Sequence, residues 1–247
     1  MLIEPGRVLL LGEVPGTAQS PAFIVEVIER GHEKGLPIHL ALELKSEEQE
    51  AIDRYLAGDG SAEARRALVS QGAWVAPRQD GRTSVAMVDL LEAVRLKREQ
   101  GVRIHLTLFD RDGETPQQRE VAMANLLQAV AFKDPYALTI ILTSNDQSRI
   151  RPGRGPDRRY QPLGRLLGQR RLSHRLIAVD VAHAGGEAWH CADETSESCA
   201  AQTIAPRGPQ DGEWITLQAI ANKIGHHGWY HVGALEASPP AASVETP

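Results

Sequence analysis

The chain has 247 residues, with 27 Lys+Arg against 32 Asp+Glu and a formal charge of −5, a balance that argues against a dedicated nucleic-acid binder. Hydrophobic residues make up 42% and charged residues 24%, enough for one large α/β core, and no apolar run reaches the roughly 18 residues of a membrane span. Without an apolar leader the chain as given reads as cytoplasmic, a periplasmic location staying open if a signal was removed, and its two cysteines exclude a disulfide framework.

Short β-branched runs alternate with amphipathic helical stretches, which predicts crossover units around a mostly parallel central sheet flanked by helices. Residues 8–11 form the first strand, followed by a helix with Ser20 as N-cap and Pro21 in its first turn. Residues 38–44 form the second strand, and Ser46 with Gln49 reads as a capping box for the helix carrying Ile52, Tyr55 and Leu56. Met87, Leu90, Leu91 and Val94 recur at i, i+3, i+4 and i+7, so residues 84–99 are a helix with one buried stripe. The third strand is 102–109, and Thr115, Pro116 and Gln118 open a helix running to about Phe132. Residues 137–143, apolar almost throughout, are a strand covered on both faces; 175–181 and 229–232 add two more. The expected organisation is a single α/β domain over residues 1–236 with a loose Pro/Ala/Ser-rich tail at 237–247.

Ligands of open parallel sheets bind beyond the carboxyl ends of the strands, so the polar residues there are the candidates. Glu13 ends the first strand, Glu43 lies in the second, Asp110 ends the third, Asn145 follows the fourth and Asp180 lies in the fifth. Each acid alone could cap the following helix; converging, they form an acidic cleft that shifts pKa values, holds a hard cation or does acid–base work. At least one of them should pair with Arg82 or Arg119, since clustered buried acids otherwise repel and protonate. A basic run from Arg149 to Arg175 faces only Asp157, and is either a solvated surface or a face for a carboxylate, a phosphate or an acidic protein partner.

Several segments, in order, carry a family resemblance: Gly12-Glu13-Val14-Pro15-Gly16-Thr17, Ala41-Leu42-Glu43, Gln79-Asp80-Gly81-Arg82, Phe109-Asp110, Arg119-Glu120 with Met123-Ala124, and Leu142-Thr143-Ser144-Asn145. Tyr160 through Gly164, Gly185-Gly186 with Trp189 and Cys191, and residues 237–241 extend it over nearly the whole chain. The sequence resembles ChaN-like proteins of the erythromycin esterase/ChaN/TraB–Tiki superfamily. The resemblance implies an α/β fold with a cleft above the sheet. That cleft serves ester or peptide hydrolysis, sometimes with a divalent metal, or haem binding as in ChaN. It also implies a His in each of two segments, and this chain has Pro15 and Gln147 there, with Ser144 where a glycine is expected. Proline offers no side-chain donor or acceptor, and an amide takes no proton at useful pH.

Glu13, Glu43 and Asp110 remain as candidate catalytic carboxylates, with Asp80, Arg82, Arg119, Asn145 and Gln147 as candidate substrate contacts. Three readings follow. The first is a lapsed enzyme binding a small-molecule, peptide or protein ligand. The second is a hydrolase using carboxylates alone or with Mg²⁺ or Mn²⁺, and the third is a haem protein for which Tyr160 is the nearby axial candidate. His227 and His231, four apart, have zinc-like spacing but a strand-like context, and His183 could replace a lost base. His190, Cys191 and Cys199 could ligate zinc, or the cysteines could bridge the acidic loop of Asp193, Glu194 and Glu197. No G-x-S-x-G elbow, Walker loop or G-x-G-x-x-G occurs.

Overall fold

A computed structural model of the chain describes residues 2–193 and 195–245. β1 (Val8–Glu13) leads into α1 (Gln19–Glu33); β2 (Ile38–Lys45) is followed by α2 (Gln49–Ala57), α3 (Ala62–Val69) and α4 (Val85–Glu99). Then come β3 (Ile104–Asp110), α5 (Pro116–Lys133), β4 (Leu138–Ser144), α6 (Leu163–Gly168) and β5 (Leu176–Ala182). β6 (Gly186–Cys191) and β7 (Cys199–Ile204) form a separate antiparallel hairpin, and β8 (Ile215–Leu217), β9 (Gly228–His231) and the short α7 (Ala241–Glu245) follow.

The main sheet has the order β3-β2-β4-β1-β5-β9-β8, parallel throughout except for β8 against β9. Its central strands are continuous apolar runs because both faces are covered. Leu9, Leu11, Leu40 and Leu42 pack under α1, α2 and α4, while Leu10, Ala41 and Ile141 pack under α5 and α6. The connections leaving β1 and β2 therefore cross one face and the one leaving β4 crosses the other. β4 lies between β1 and β2, so the loops part above it and open a crevice at the carboxyl edge.

Local signals succeed where the side chain has no better partner. Ser84 caps α4 by accepting from the Met87 N–H, and Thr115 caps α5 by accepting from the Gln118 N–H. Two others are redirected. α1 begins at Gln19, and the Ser20 hydroxyl, inside it, pairs with the Tyr230 hydroxyl at 2.9 Å. The expected capping box at Ser46 does not form: the Gln49 amide oxygen accepts from Leu108 N–H at 2.8 Å, tying α2 to β3.

The expected loose tail is seated as far as Glu245, its last two residues lying outside the described ones. Ser238 donates its N–H to the Gly16 carbonyl and accepts from Ala86 N–H at its hydroxyl, and Ala241 is fully buried. The expected exposed loop lies within a hairpin, Glu194 falling outside the described residues. Cys191 and Cys199 are cross-strand partners in the β6–β7 hairpin and form a disulfide, so they ligate no zinc. Trp189 holds this hairpin down, donating its backbone N–H to Gly16 and its indole N–H to the Gln79 carbonyl. Gly16 has φ +74°, and a Cβ there would collide with the Trp189 carbonyl.

Candidate functional site

Four strand ends bring their polar residues to the crevice. Glu13 pairs in register with Ser144 at the ends of β1 and β4, and Lys45 with Asp110 at the ends of β2 and β3. Between Leu42 and Lys45 the β2–β3 register slips, and this bulge turns Glu43 toward the edge. The loop before α4 supplies Asp80 and Arg82, held between the Gly16 turn and the hairpin, and the first turn of α5 supplies Arg119.

Glu43 is the hub. It is 3% exposed and accepts from Arg119 at 2.9 Å, Arg82 at 3.4 Å, the Thr143 hydroxyl at 2.5 Å and the Ser144 N–H at 3.1 Å. Burial pushes its carboxyl up, but the two guanidiniums and the Thr143 hydroxyl outweigh this and hold it below the usual range. Arg119 also donates to Asp110 at 2.7 Å, and Arg82 to Asp80 at 2.5 Å; Lys45 stands 3.4 Å from Asp110. The acids of the edge are thus neutralised in a chain of alternating charge, as clustered buried carboxylates require.

Glu13 is outside this chain. It is 4% exposed, and no hydrogen bond or ion pair reaches its carboxyl among the described residues. Burial pushes its pKa up to about 8, with Arg82 pulling down and Glu43 and Asp80 pushing further up. Such a group is neutral at pH 7 yet able to give or take a proton near it.

Two hollows of about 170 Å³ each flank the Glu43–Arg82 pair. One is walled by Arg119, Asn145, Gln147, Arg154 and Tyr160, the other by Lys45, Arg78, Asp80 and Asp110. Gln147, where the resemblance implies an imidazole, is locked: its amide donates to Glu120 at 2.9 Å and accepts from the Ser144 hydroxyl at 2.9 Å. Pro15 sits in the turn between Val14 and Gly16 and brings no polar side-chain atom.

Sequence reasoning missed Glu120 as a site residue. Glu120 is 1% exposed and accepts from the Tyr160 hydroxyl at 2.6 Å as well as from Gln147; burial raises its pKa against those two bonds. The signal was present, because Glu120 occupies the same helical stripe as the buried Met123, Ala124 and Leu127. A second polar group was also missed. Ser148 and His226, both fully buried, are joined Oγ to Nε2 at 2.9 Å, and His226 Nδ1 lies 3.7 Å from Asp180. Asp180 accepts Arg207 through two bonds of 2.9 and 2.6 Å and so does not join the Glu43 chain. His183 is also buried, accepts the Gly185 N–H and lines neither hollow. His227 accepts from Ala178 N–H and His231 pairs with the Thr216 hydroxyl, so these two tie β9 to its neighbours β5 and β8.

The basic run divides its work. Arg149 bonds the Asp146 and Gly153 carbonyls, Arg170 bonds Asn125 and Gln128 on α5, and Arg154 stands over the Tyr160 ring at the mouth of the hollow. No helix among the described residues is long and apolar enough to cross a membrane.

The donor set suits neither group that the resemblance implies. A divalent cation at Glu43 would meet oxygens already accepting from Arg82, Arg119, Thr143 and Ser144, and two guanidiniums beside it. Haem would need a free axial ligand and a wide apolar slot, whereas the Tyr160 hydroxyl is spent on Glu120 and the hollows are small and charged.

The mostly parallel sheet with helices on both faces and a crevice above β4 is an α/β fold shared with the erythromycin esterase EreC. Among solved structures, the chain is similar to a mutant of the erythromycin esterase EreC in its open conformation, at 12% identity and a TM-score of 0.65, over 97% of this chain and 92% of that one. A Bacillus cereus protein is similar at 10% identity and a TM-score of 0.58, over 97% of this chain and 91% of that one. ChaN of Campylobacter jejuni, solved with cofacial haem, is similar at 11% identity and a TM-score of 0.44, over 84% and 89%. No family sequence model and no curated protein matches. Identities this low carry the fold and not the activity.

Proposed function

We propose that the protein is a ligand-binding member of this fold that lacks two-imidazole hydrolysis and holds a small polar ligand in the hollow between Arg119, Asn145, Arg154 and Tyr160. The observation that carries this reading is the locked Gln147 amide. It fills a base position with two internal hydrogen bonds, to Glu120 and Ser144, in a site whose central carboxylate, Glu43, is consumed by Arg82 and Arg119. A base must be free to accept a proton from a substrate or water, and neither group is. Asn145, whose side chain meets no protein partner among the described residues, and Arg154 at the mouth remain available for a ligand.

One observation favours a second reading, a carboxylate-based hydrolase. Glu13, unpaired and with its pKa pushed up to about 8, would act as the proton-transfer group there. Ester and peptide panels on the wild type, Glu13→Gln and Pro15→His/Gln147→His separate the two. The binding reading expects background turnover from the wild type. Ready wild-type turnover lost in Glu13→Gln would replace it with the hydrolase reading.

A further inference from the structure

A hollow of about 420 Å³ lies at the opposite end of the sheet from the crevice and falls within the size range of small-molecule sites. It forms where β2 and β3 begin. His39 and His105 are register partners on these neighbouring strands and share a face, their rings 4.6 Å apart and edge-on. β3 is an edge strand, and α5 ends at Lys133, so the amino end of this face is left open. Pro37 and Ala137 supply apolar wall, and Arg103 and Lys133 stand at the rim.

The polar groups of this hollow are underused. His39 is 4% exposed; its Nε2 meets the Thr107 hydroxyl at 3.2 Å, while Nδ1 has no protein partner among the described residues. Lys133 makes no hydrogen bond or ion pair among the described residues, and Arg103 gives a single bond to the Gly35 carbonyl. Asp134, the lone carboxylate of the lining, is occupied in capping the Tyr136 N–H. Paired imidazoles beside two cations over an apolar wall match a flat molecule bearing an acid group: the ring lies against the imidazoles and Pro37, and the acid meets Lys133 and Arg103.

We infer that this amino-edge hollow is a binding site for a small aromatic carboxylate, separate from the crevice. The charge environment agrees. Burial, His105 and Lys133 push the His39 pKa down to about 4 against Asp134; burial, Lys133 and Arg98 lower that of His105 against Asp53. Both imidazoles are therefore neutral near pH 7 and available as donors or acceptors. A bound anion offsets the cations and favours protonation of an imidazole, so binding takes up protons and tightens as pH falls.

Benzoate is the probe, titrated into the full chain while the histidine ring signals are followed by NMR. The expected result is a saturable shift of the His39 and His105 signals. Affinity should rise at least about threefold from about pH 7.5 to about pH 5.5 and fall at least about threefold in Lys133→Gln and in His105→Ala. Both substitutions lie at exposed positions, and Asn145→Ala in the crevice should leave the affinity unchanged. Absence of saturable shifts, equal shifts with neutral benzyl alcohol, or loss of binding in Asn145→Ala with none in Lys133→Gln would each overturn the inference.

Discussion

Two seams of the same sheet bury a carboxylate beside guanidinium groups, and they treat it differently. Between β2 and β4, Glu43 collects two arginines, a hydroxyl and a backbone N–H, and is held below the ordinary carboxylate range. Between β5 and β9, Asp180 has one arginine on one oxygen and the Val181 N–H on the other; burial outweighs these and pushes its pKa up to about 6. The neighbouring His226 gives no charge, because burial, Arg207 and Arg149 push its own pKa down to about 3. Equal burial thus gives an anion in one seam and a readily protonated acid in the other, and the number of donors decides which. Glu13, with none, completes the series at about 8.

The largest test is Glu43→Ala. It leaves two partly buried guanidiniums facing each other, and urea unfolding should show a loss of about 3–5 kcal/mol. Asp180→Ala should cost about half as much, since the Arg207 side chain is 33% exposed and can turn to water. Equal losses would break the comparison.

A smaller effect sharpens it through pH. The Glu13 pKa is raised above its ordinary 4.5 in the folded state, so the folded protein binds the extra proton, and stability falls as pH rises from about 4.5 to about 8. Glu43, with a lowered pKa, contributes in the opposite sense, its stability being lost as pH falls through its folded pKa. Glu13→Gln should remove a decline of about 1.4 kcal/mol per pH unit across this window, read from unfolding curves at stepped pH. An unchanged slope would mean that Glu13 is ionised in the fold.

The smallest effect concerns the hairpin that presses on the crevice loop. Cys191→Ser/Cys199→Ser opens a short loop and should cost about 1–2 kcal/mol. Because Trp189 ties the hairpin to Gly16 and Gln79, amide exchange should quicken at Trp189 and not at Val181 or His231. Equal quickening at Val181 and His231 would show that the hairpin does not act locally.

The strands, the main helices and the acids at the strand ends were legible because each depends on residues a few positions apart. The continuous apolar run 138–143 needs only its own composition to read as a doubly covered strand. Ser84 and Thr115 need only the following turn to read as caps. The hairpin was not legible: β6 and β7 carry few large apolar residues, and their disulfide joins cross-strand partners around an acidic turn that reads as loop. The tail was not legible either, since Ser238 and Ala241 are seated by Ala86 and Thr83, more than 150 residues away.

What the sequence by itself determined is residue chemistry and local order: a βα alternation and acids placed at successive strand ends, both written in side-chain identity and short spacing. The tertiary structure alone decided which acids are charged. Arg82 and Arg119 could have paired with any of several carboxylates. The bulge at Glu43 and the first turn of α5 made Glu43 the shared partner and left Glu13 with none. It also sent Gln49 to the β3 backbone and Ser20 to Tyr230, because a buried polar atom bonds to whatever the fold brings within reach. Charge state and hydrogen-bond choice depend on desolvation and on partners distant in sequence, and both exist only once the chain has folded.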